Sequence, residues 1–210
     1  MIAAVSIKDA ALPRILSDDD VAGFRDRLCE AAARIFVERG REGFNMRELA
    51  ARLGVSAMTP YRYFKDKDEI LAAVRARGFE RFAARLEAAQ AAPATAPEEI
   101  EALPAAYLRF VTEEPESYRL LFDLTQPRED SFLELAAAGR RLRATLARYA
   151  QKLVETGVYK GDPGRIGQAL WASLHGLAAL HLAGKIPEPG EFAAVRQEVL
   201  AAFHRAYATR

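Results

Sequence analysis

The side chains best suited to bond-making chemistry are few: histidines at 175, 181 and 204, one cysteine at 29, and an acidic run at Asp18, Asp19 and Asp20. No histidine stands at metal-ligand spacing from another, and neither an HExxH nor an ExxH pair occurs, so no metal site is expected. Ser56 is not framed as GxSxG, and Gly161, Gly164 and Gly167 punctuate a helix start without the lysine of a phosphate loop. These residues therefore predict no catalytic group and no cofactor. Carboxylates in a first helical turn complement its dipole, which accounts for Asp18 to Asp20 without a metal. Cys29 lacks a resolving partner for redox chemistry and is assigned to packing in the first helix. The residues that do group by type are cationic. Between residues 39 and 67, Arg39, Arg41, Arg47, Arg52, Arg62, Lys65 and Lys67 face only Glu42, Glu48 and Asp66. Such a patch suits a polyanion, although the whole chain is nearly neutral at 30 Lys and Arg against 29 Asp and Glu.

Helices must place those cations. From about residue 18 onward apolar residues recur at three and four, as in Val21, Phe24, Leu28, Ala32, Ile35 and Phe36, and alternating strand-like runs are missing, so the fold class is all-α. Ser17 with Asp20 resembles a capping start. Gly40 and Gly43 end the first helix, and Asn45 with Glu48 opens a short second one whose apolar face is Leu49, Ala50 and Leu53. Gly54 supplies a tight turn, Ser56 can cap the next segment, and a third short helix runs to about Phe64. Two short helices joined by Leu53-Gly54-Val55-Ser56 have helix-turn-helix spacing, in which the first crosses the phosphate backbone and the second enters the major groove. A long helix through Ile70, Val74, Phe79, Phe82 and Leu86 breaks at residues 91–97. Pro104 predicts a kink in the next helix, Pro115 and Pro127 bracket a short one, and Asp162-Pro163 opens another. About nine helices result. The divisions are an arm over 1–17, a helix-turn-helix domain over 18–66, a connecting helix over 67–91, and a helical ligand-binding and dimerisation domain over 92–210. The stretch Met1 to Ile7 lacks the basic flank and the length of a signal, no apolar run reaches about 18 residues, and cysteine is scarce, so a cytoplasmic protein without a membrane segment is expected.

The run Phe44 to Ser56, FNMRELAARLGVS, followed by Tyr61 to Leu71, YRYFKDKDEIL, resembles the N-terminal domain of the TetR family of transcriptional regulators. The resemblance covers roughly residues 22 to 85 and rests on the turn, the Tyr61 and Phe64 pair, and Lys67 opening the next helix. It implies a homodimeric, ligand-responsive repressor with one double-stranded DNA-binding unit per subunit and a variable helical C-terminal domain. It also places Ala57, Met58, Thr59, Tyr61 and Arg62 on the recognition segment and Tyr63 and Lys67 at phosphates, with Asn45 and Arg47 adding backbone contacts. The family's usual small-polar or lysine residues after the serine are here Ala57 and Met58. Direct readout then falls to Thr59 and Arg62, and Met58 suits a thymine methyl. Pro60 is a further departure: with Ser56 as cap it removes the first helical hydrogen bond, and with Thr59 as cap it takes the preferred first position. Either way a tight, 3₁₀-like opening is expected. Phe64 and Leu49 are assigned to core. An ordinary solvated turn is the alternative for Lys65 and Lys67.

Residues 166–184 carry two apolar stripes, one of Ile166, Leu170, Leu174, Leu177 and His181 and one of Trp171, His175, Ala178 and Leu182. A helix apolar over so wide an arc is buried on two sides. Leu170, Leu174, Leu177 and His181, with Phe192, Val195, Val199 and Phe203 of the last helix, are therefore assigned to a two-fold interface between copies. Trp171-Ala-Ser-Leu-His175-Gly176 resembles the signature of the WHG-type C-terminal domain found in some TetR-family regulators. Tyr107, Phe110, Tyr118, Phe122, Trp171 and His175 are the candidates for a mostly apolar cavity taking an unidentified small-molecule effector, with ordinary core packing as the alternative for each. An activator of the same fold and a helical interaction module that does not bind DNA are the competing functions.

Overall fold

The computed structural model describes residues 18–91, 95–122, 128–186 and 189–209. The arm, the Ser17 cap, Pro127 and Pro187 lie outside them. Among the described residues eight α-helices succeed one another: α1 (Asp18–Gly43), α2 (Met46–Arg52), α3 (Lys67–Ala91), α4 (Ala96–Glu113), α5 (Pro115–Phe122), α6 (Leu133–Glu155), α7 (Pro163–Leu182) and α8 (Pro189–Tyr207). Two 3₁₀ turns, Pro60–Arg62 and Glu129–Ser131, complete the order. Among the described residues the one extended pairing is an isolated antiparallel bridge between Tyr159 and Ala208. No described helix is long and apolar enough to cross a membrane.

The helix boundaries obey the expected chemistry. Asn45 caps α2, its Oδ1 accepting the Glu48 N–H at 2.8 Å, and Asp162 caps α7 by accepting the Arg165 N–H at 2.7 Å. Gly54, at φ 65°, turns the chain out of α2, while the N–H groups of Gly54 and Val55 bond back to Ala51 and Ala50. The third short helix is not α-helical. Thr59 N–H donates to Ser56 O, Arg62 N–H to Thr59 O, and Tyr63 N–H to Pro60 O, so the segment closes as successive three-residue turns. Pro60 has no N–H with which to close a four-residue turn onto Ser56 O, and the chain tightens instead. Pro104 stands inside α4, which continues past it to Glu113. The carbonyl orphaned four residues back, Ile100 O, is taken by the Tyr149 hydroxyl of α6 at 2.5 Å.

Two buried clusters form. The first joins Leu28, Cys29, Ala32, Ile35 and Phe36 of α1 to Phe44, Leu49, Phe64 and the start of α3 at Ile70, Leu71, Ala73 and Val74. The second gathers Ala72, Ala76, Phe79, Phe82 and Leu86 of α3 with the inner faces of α4, α5, α6 and α7. Helix α3 therefore belongs to both. Helix α5 lies across the junction, with Leu120 against the first cluster and Tyr118 and Leu121 in the second. The buried Arg75 of α3 donates to Leu121 O at 3.0 Å, satisfying a carbonyl in the last turn of α5.

One expectation changes with burial. Leu170, Leu174 and Leu177, assigned from sequence to a contact between copies, are buried within the single chain where α7 packs on α4 and α6, and Phe203, assigned with them, is buried against the rings of Tyr159 and Tyr207. Their broad apolar arc is spent on intrachain neighbours, so they offer no area to a second copy. His181, Phe192, Val195 and Val199 are half-buried, and the His181 and Phe192 rings stack at 4.1 Å, joining α7 to α8. Leu180 is the large apolar side chain that α7 leaves exposed.

Candidate nucleic-acid interface

The Ser56 to Phe64 segment presents its side chains by a division of labour between buried and exposed positions. Pro60 and Phe64 point inward and anchor it, while Ala57, Met58, Tyr61 and Arg62 are exposed. Met58 is 69% and Tyr61 47% exposed, unusual for side chains of that size and suited to a partner surface. Thr59 is half-buried, and its Oγ1 lies 2.8 Å from Ser56 Oγ, which holds both hydroxyls in one orientation. Tyr63 is half-buried against Phe24, with ring centroids 5.0 Å apart. Asn45 and Arg47 are exposed at the start of α2.

The cationic patch is smaller than composition suggests, because folding brings in acids from outside it. Arg52 pairs with Glu38 at 2.5 Å and Glu48 at 3.0 Å, Arg39 with Glu48 at 2.7 Å, and Arg41 with Asp68 at 3.0 Å. Glu38 and Asp68 lie outside the window counted from sequence. Lys67 is half-buried and 3.9 Å from Glu42. The charged groups of Arg47, Arg62 and Lys65 make no ion pair among the described residues, and all three residues are exposed, although the Lys65 backbone N–H donates to Glu69 Oε2. The free positive charge therefore flanks the exposed 3₁₀ turn. Asp66, counted from sequence as a neutralising acid, instead caps α3 by accepting the N–H groups of Asp68 and Glu69 at 3.0 and 2.9 Å.

The C-terminal aromatics also meet. Tyr107, Phe110 and Tyr118 are fully buried around Phe82, while Phe122, Trp171 and His175 are half-buried beside them. Tyr107 and Phe110 are thus core. Tyr118, Phe122 and His175 line a groove of about 590 Å³ whose opposite wall is Phe36, Val37 and Gly40 of α1. Its rim carries Glu116 and Arg119, an ion pair whose Arg119 also donates to Leu182 O at 2.8 Å. A second groove of about 580 Å³ lies between α4, α6, α7 and α8, against Ile100, Pro104, Tyr149, Tyr159, Arg196 and His204. Sequence reasoning missed Val37 and Arg119 because nothing in a 3.6-residue period says that the end of α1 meets α5 and α7. Burial lowers the pKa of His175, favouring a neutral imidazole, and raises those of Tyr107 and Tyr118, keeping both phenols protonated.

Known proteins share these features. Residues 28–74 match the family model for bacterial regulatory proteins of the tetR family, and residues 100–203 match a tetracyclin repressor-like C-terminal domain. The chain belongs to the TetR family. The HTH-type transcriptional activator FasR of Mycolicibacterium smegmatis is 29% identical over 115 residues, 53% of this chain and 52% of that protein. The match thus spans about half the length of that relative. The HTH-type transcriptional repressor DrrR1 of Streptomyces coeruleorubidus is 48% identical over 46 residues, 22% of this chain and 17% of that protein. A crystal structure of a TetR-family regulator from Pectobacterium atrosepticum aligns with TM-score 0.71 at 23% identity, covering 92% of this chain and 98% of that one, which shows the shared fold.

Proposed function

We propose that this TetR-family protein is a ligand-responsive repressor that binds a pseudo-palindromic operator as a homodimer and is released by a small-molecule effector. The observation that carries it is the exposed Ala57 to Arg62 segment, fixed by a 3₁₀ turn and flanked by the unpaired cations Arg47, Arg62 and Lys65. Thr59, Tyr61, Arg62 and Met58 meet base edges, with Met58 against a thymine methyl. Asn45, Arg47, Tyr63 and Lys67 hold the backbone. Ala57 permits close approach without a hydrogen bond. Residues 18–66 act as the DNA-binding unit, 67–91 as the connection, and 92–210 as the effector-binding and dimerising part. The outward side of α7 and α8, around Leu180, His181, Phe192, Val195 and Val199, is the face for a second copy. The protein works in the cytoplasm, where its operator is.

Effector binding acts only by differential affinity for two arrangements, in which α3 and the Pro104-containing α4 shift the recognition units out of groove register. An activator is the second reading, favoured by the name of the FasR relative. The test is equilibrium binding to the DNA flanking the protein's own gene at two salt concentrations, with a promoter reporter to fix the sign. Salt-sensitive binding that Lys67→Ala weakens on every duplex and Arg62→Ala weakens selectively supports the proposal. Absence of binding to any duplex at low salt overturns it in favour of an interaction module.

A further inference from the structure

The Trp171 and His175 pair lies one turn apart on α7, and the His175 end of that turn enters a hydrogen-bond chain. Tyr107 Oη and Tyr118 Oη are 2.8 Å apart, and Tyr118 Oη is 2.6 Å from His175 Nδ1. Tyr107 is fully buried and Tyr118 nearly so. Such a chain has two possible directions. If Nδ1 carried the imidazole proton and donated to Tyr118, Tyr118 would donate to Tyr107, and the Tyr107 proton would be left buried with no acceptor among the described residues. An unmade buried hydrogen bond costs roughly 1–3 kcal/mol. In the opposite direction Tyr107 donates to Tyr118 and Tyr118 donates to Nδ1, so both phenolic protons are spent. The Tyr107 oxygen is then free to face a donor. The buried Trp171 Nε1–H has no bonded partner among the described residues. Satisfaction of both buried phenolic protons selects the second direction.

That direction leaves the neutral imidazole with its proton on Nε2, which makes no hydrogen bond among the described residues. His175 lines the groove bounded by α1, α5 and α7, whose other walls are Phe36, Val37, Phe122, Ala179 and Leu182. The Arg119 guanidinium at the rim is already engaged by Glu116 and Leu182 O, so a ligand does not need to carry a charge for it. A groove of about 590 Å³ is within the usual range for small-molecule sites. Resting on the effector-responsive reading above, we propose that this groove is the effector site and takes an uncharged, largely apolar molecule presenting one hydrogen-bond acceptor, a carbonyl or ether oxygen, to His175 Nε2–H. One wall is α1 itself. Phe36 stacks on Phe44 at 4.2 Å, immediately before the Asn45 cap of α2, so an occupant touches the DNA-binding unit and the C-terminal body together.

Benzophenone and diphenylmethane test this directly, because they differ chiefly in a carbonyl oxygen replacing a methylene. Equilibrium dialysis against the full chain is expected to show benzophenone bound about tenfold more tightly, the effect of one hydrogen bond. Irradiation of the benzophenone complex is expected to crosslink peptides containing Val37, Ala179 or Leu182. His175→Phe is expected to bind both probes equally while retaining DNA binding and a single melting transition. Should that variant fail to fold, Tyr118→Phe keeps the imidazole, frees its tautomer, and narrows the preference. Equal affinities in the wild type, no benzophenone binding up to its solubility, or crosslinks confined to the α4, α6, α7 and α8 groove would overturn the site. Duplex binding by the probe-free protein is read in parallel: its absence sinks the regulator and leaves the probe result standing.

Discussion

Asn45 illustrates how a single side chain divides between folding and recognition. Its Oδ1 is already spent on the Glu48 N–H, so only its amide N–H₂ is left for a phosphate. Asn45→Ala is expected to cost about 1 kcal/mol of stability through the lost cap, visible as a lower melting temperature without DNA, and Asn45→Asp to restore most of it. The same substitution to Asp puts a negative charge at the DNA face, so it should recover stability while weakening duplex binding, separating the two roles. His175 offers a pH prediction with a definite sign. Burial lowers its folded-state pKa below the ordinary 6.5, so the unfolded chain takes up a proton first as pH falls. The stability tied to the neutral ring is therefore fully present above about pH 6.5 and is lost as pH drops from there through the folded value. Denaturant midpoints between pH 8 and pH 5 should fall less for His175→Phe than for the wild type, the other two histidines being common to both.

At the scale of elements, Pro104 and Tyr149 form a pair that only three dimensions reveal. Proline removes the N–H that would serve Ile100 O, and the Tyr149 hydroxyl serves it from α6. Tyr149→Phe should cost about 1–3 kcal/mol by leaving that carbonyl unpaired. Combined with Pro104→Ala, which restores a helical N–H, the same change should be nearly free, and thermal or urea unfolding of the four-member cycle reads the coupling. Additive losses would mean that the hydroxyl contributes nothing at that carbonyl. Much of the element order is legible in sequence because caps, prolines and periodicity are local signals: Asn45 with Glu48, Asp162 with Pro163, and the apolar stripe of α1 all read directly. The 3₁₀ opening of the recognition segment is legible as well, because Pro60 lacks the N–H that a four-residue turn onto Ser56 would need. One feature is not. The α7 stripe reads as two faces, yet sequence cannot tell a neighbouring helix of the same chain from one of a second copy, which is why Leu170, Leu174 and Leu177 read as interface and fold as core. Sequence likewise overstates the net positive patch, since Glu38 and Asp68 reach Arg52 and Arg41 only after folding.

Across the whole molecule, α3 contributes Ile70, Leu71 and Val74 to one buried cluster and Phe79, Phe82 and Leu86 to the other, so rigid displacement of α3 carries the DNA-binding residues with it. The same sharing limits how far one cluster loosens alone, because Arg75 and α5 tie its middle to the body. Movement at the recognition turn is then a movement of a unit, and its consequence for DNA depends on how many units are engaged. Two-fold pairing through α7 and α8 would set two such units on half-sites about one helical turn apart, ~34 Å. Salt dependence counts them. Each phosphate neutralised contributes a slope of about 0.9 in the logarithm of affinity against that of salt. Lys67 sits 3.9 Å from Glu42 and can exchange that weak pair for a phosphate. Removing it with Lys67→Ala should reduce the slope by about 1.8 if both subunits grip the operator and about 0.9 if one does. Sedimentation of the complex at the same salt concentrations fixes the stoichiometry independently. A full operator that loses two phosphate contacts per substitution, with a half-site duplex losing one, is the expected pattern; a loss of one on both would place a single recognition unit on the DNA and remove the two-fold arrangement from the mechanism.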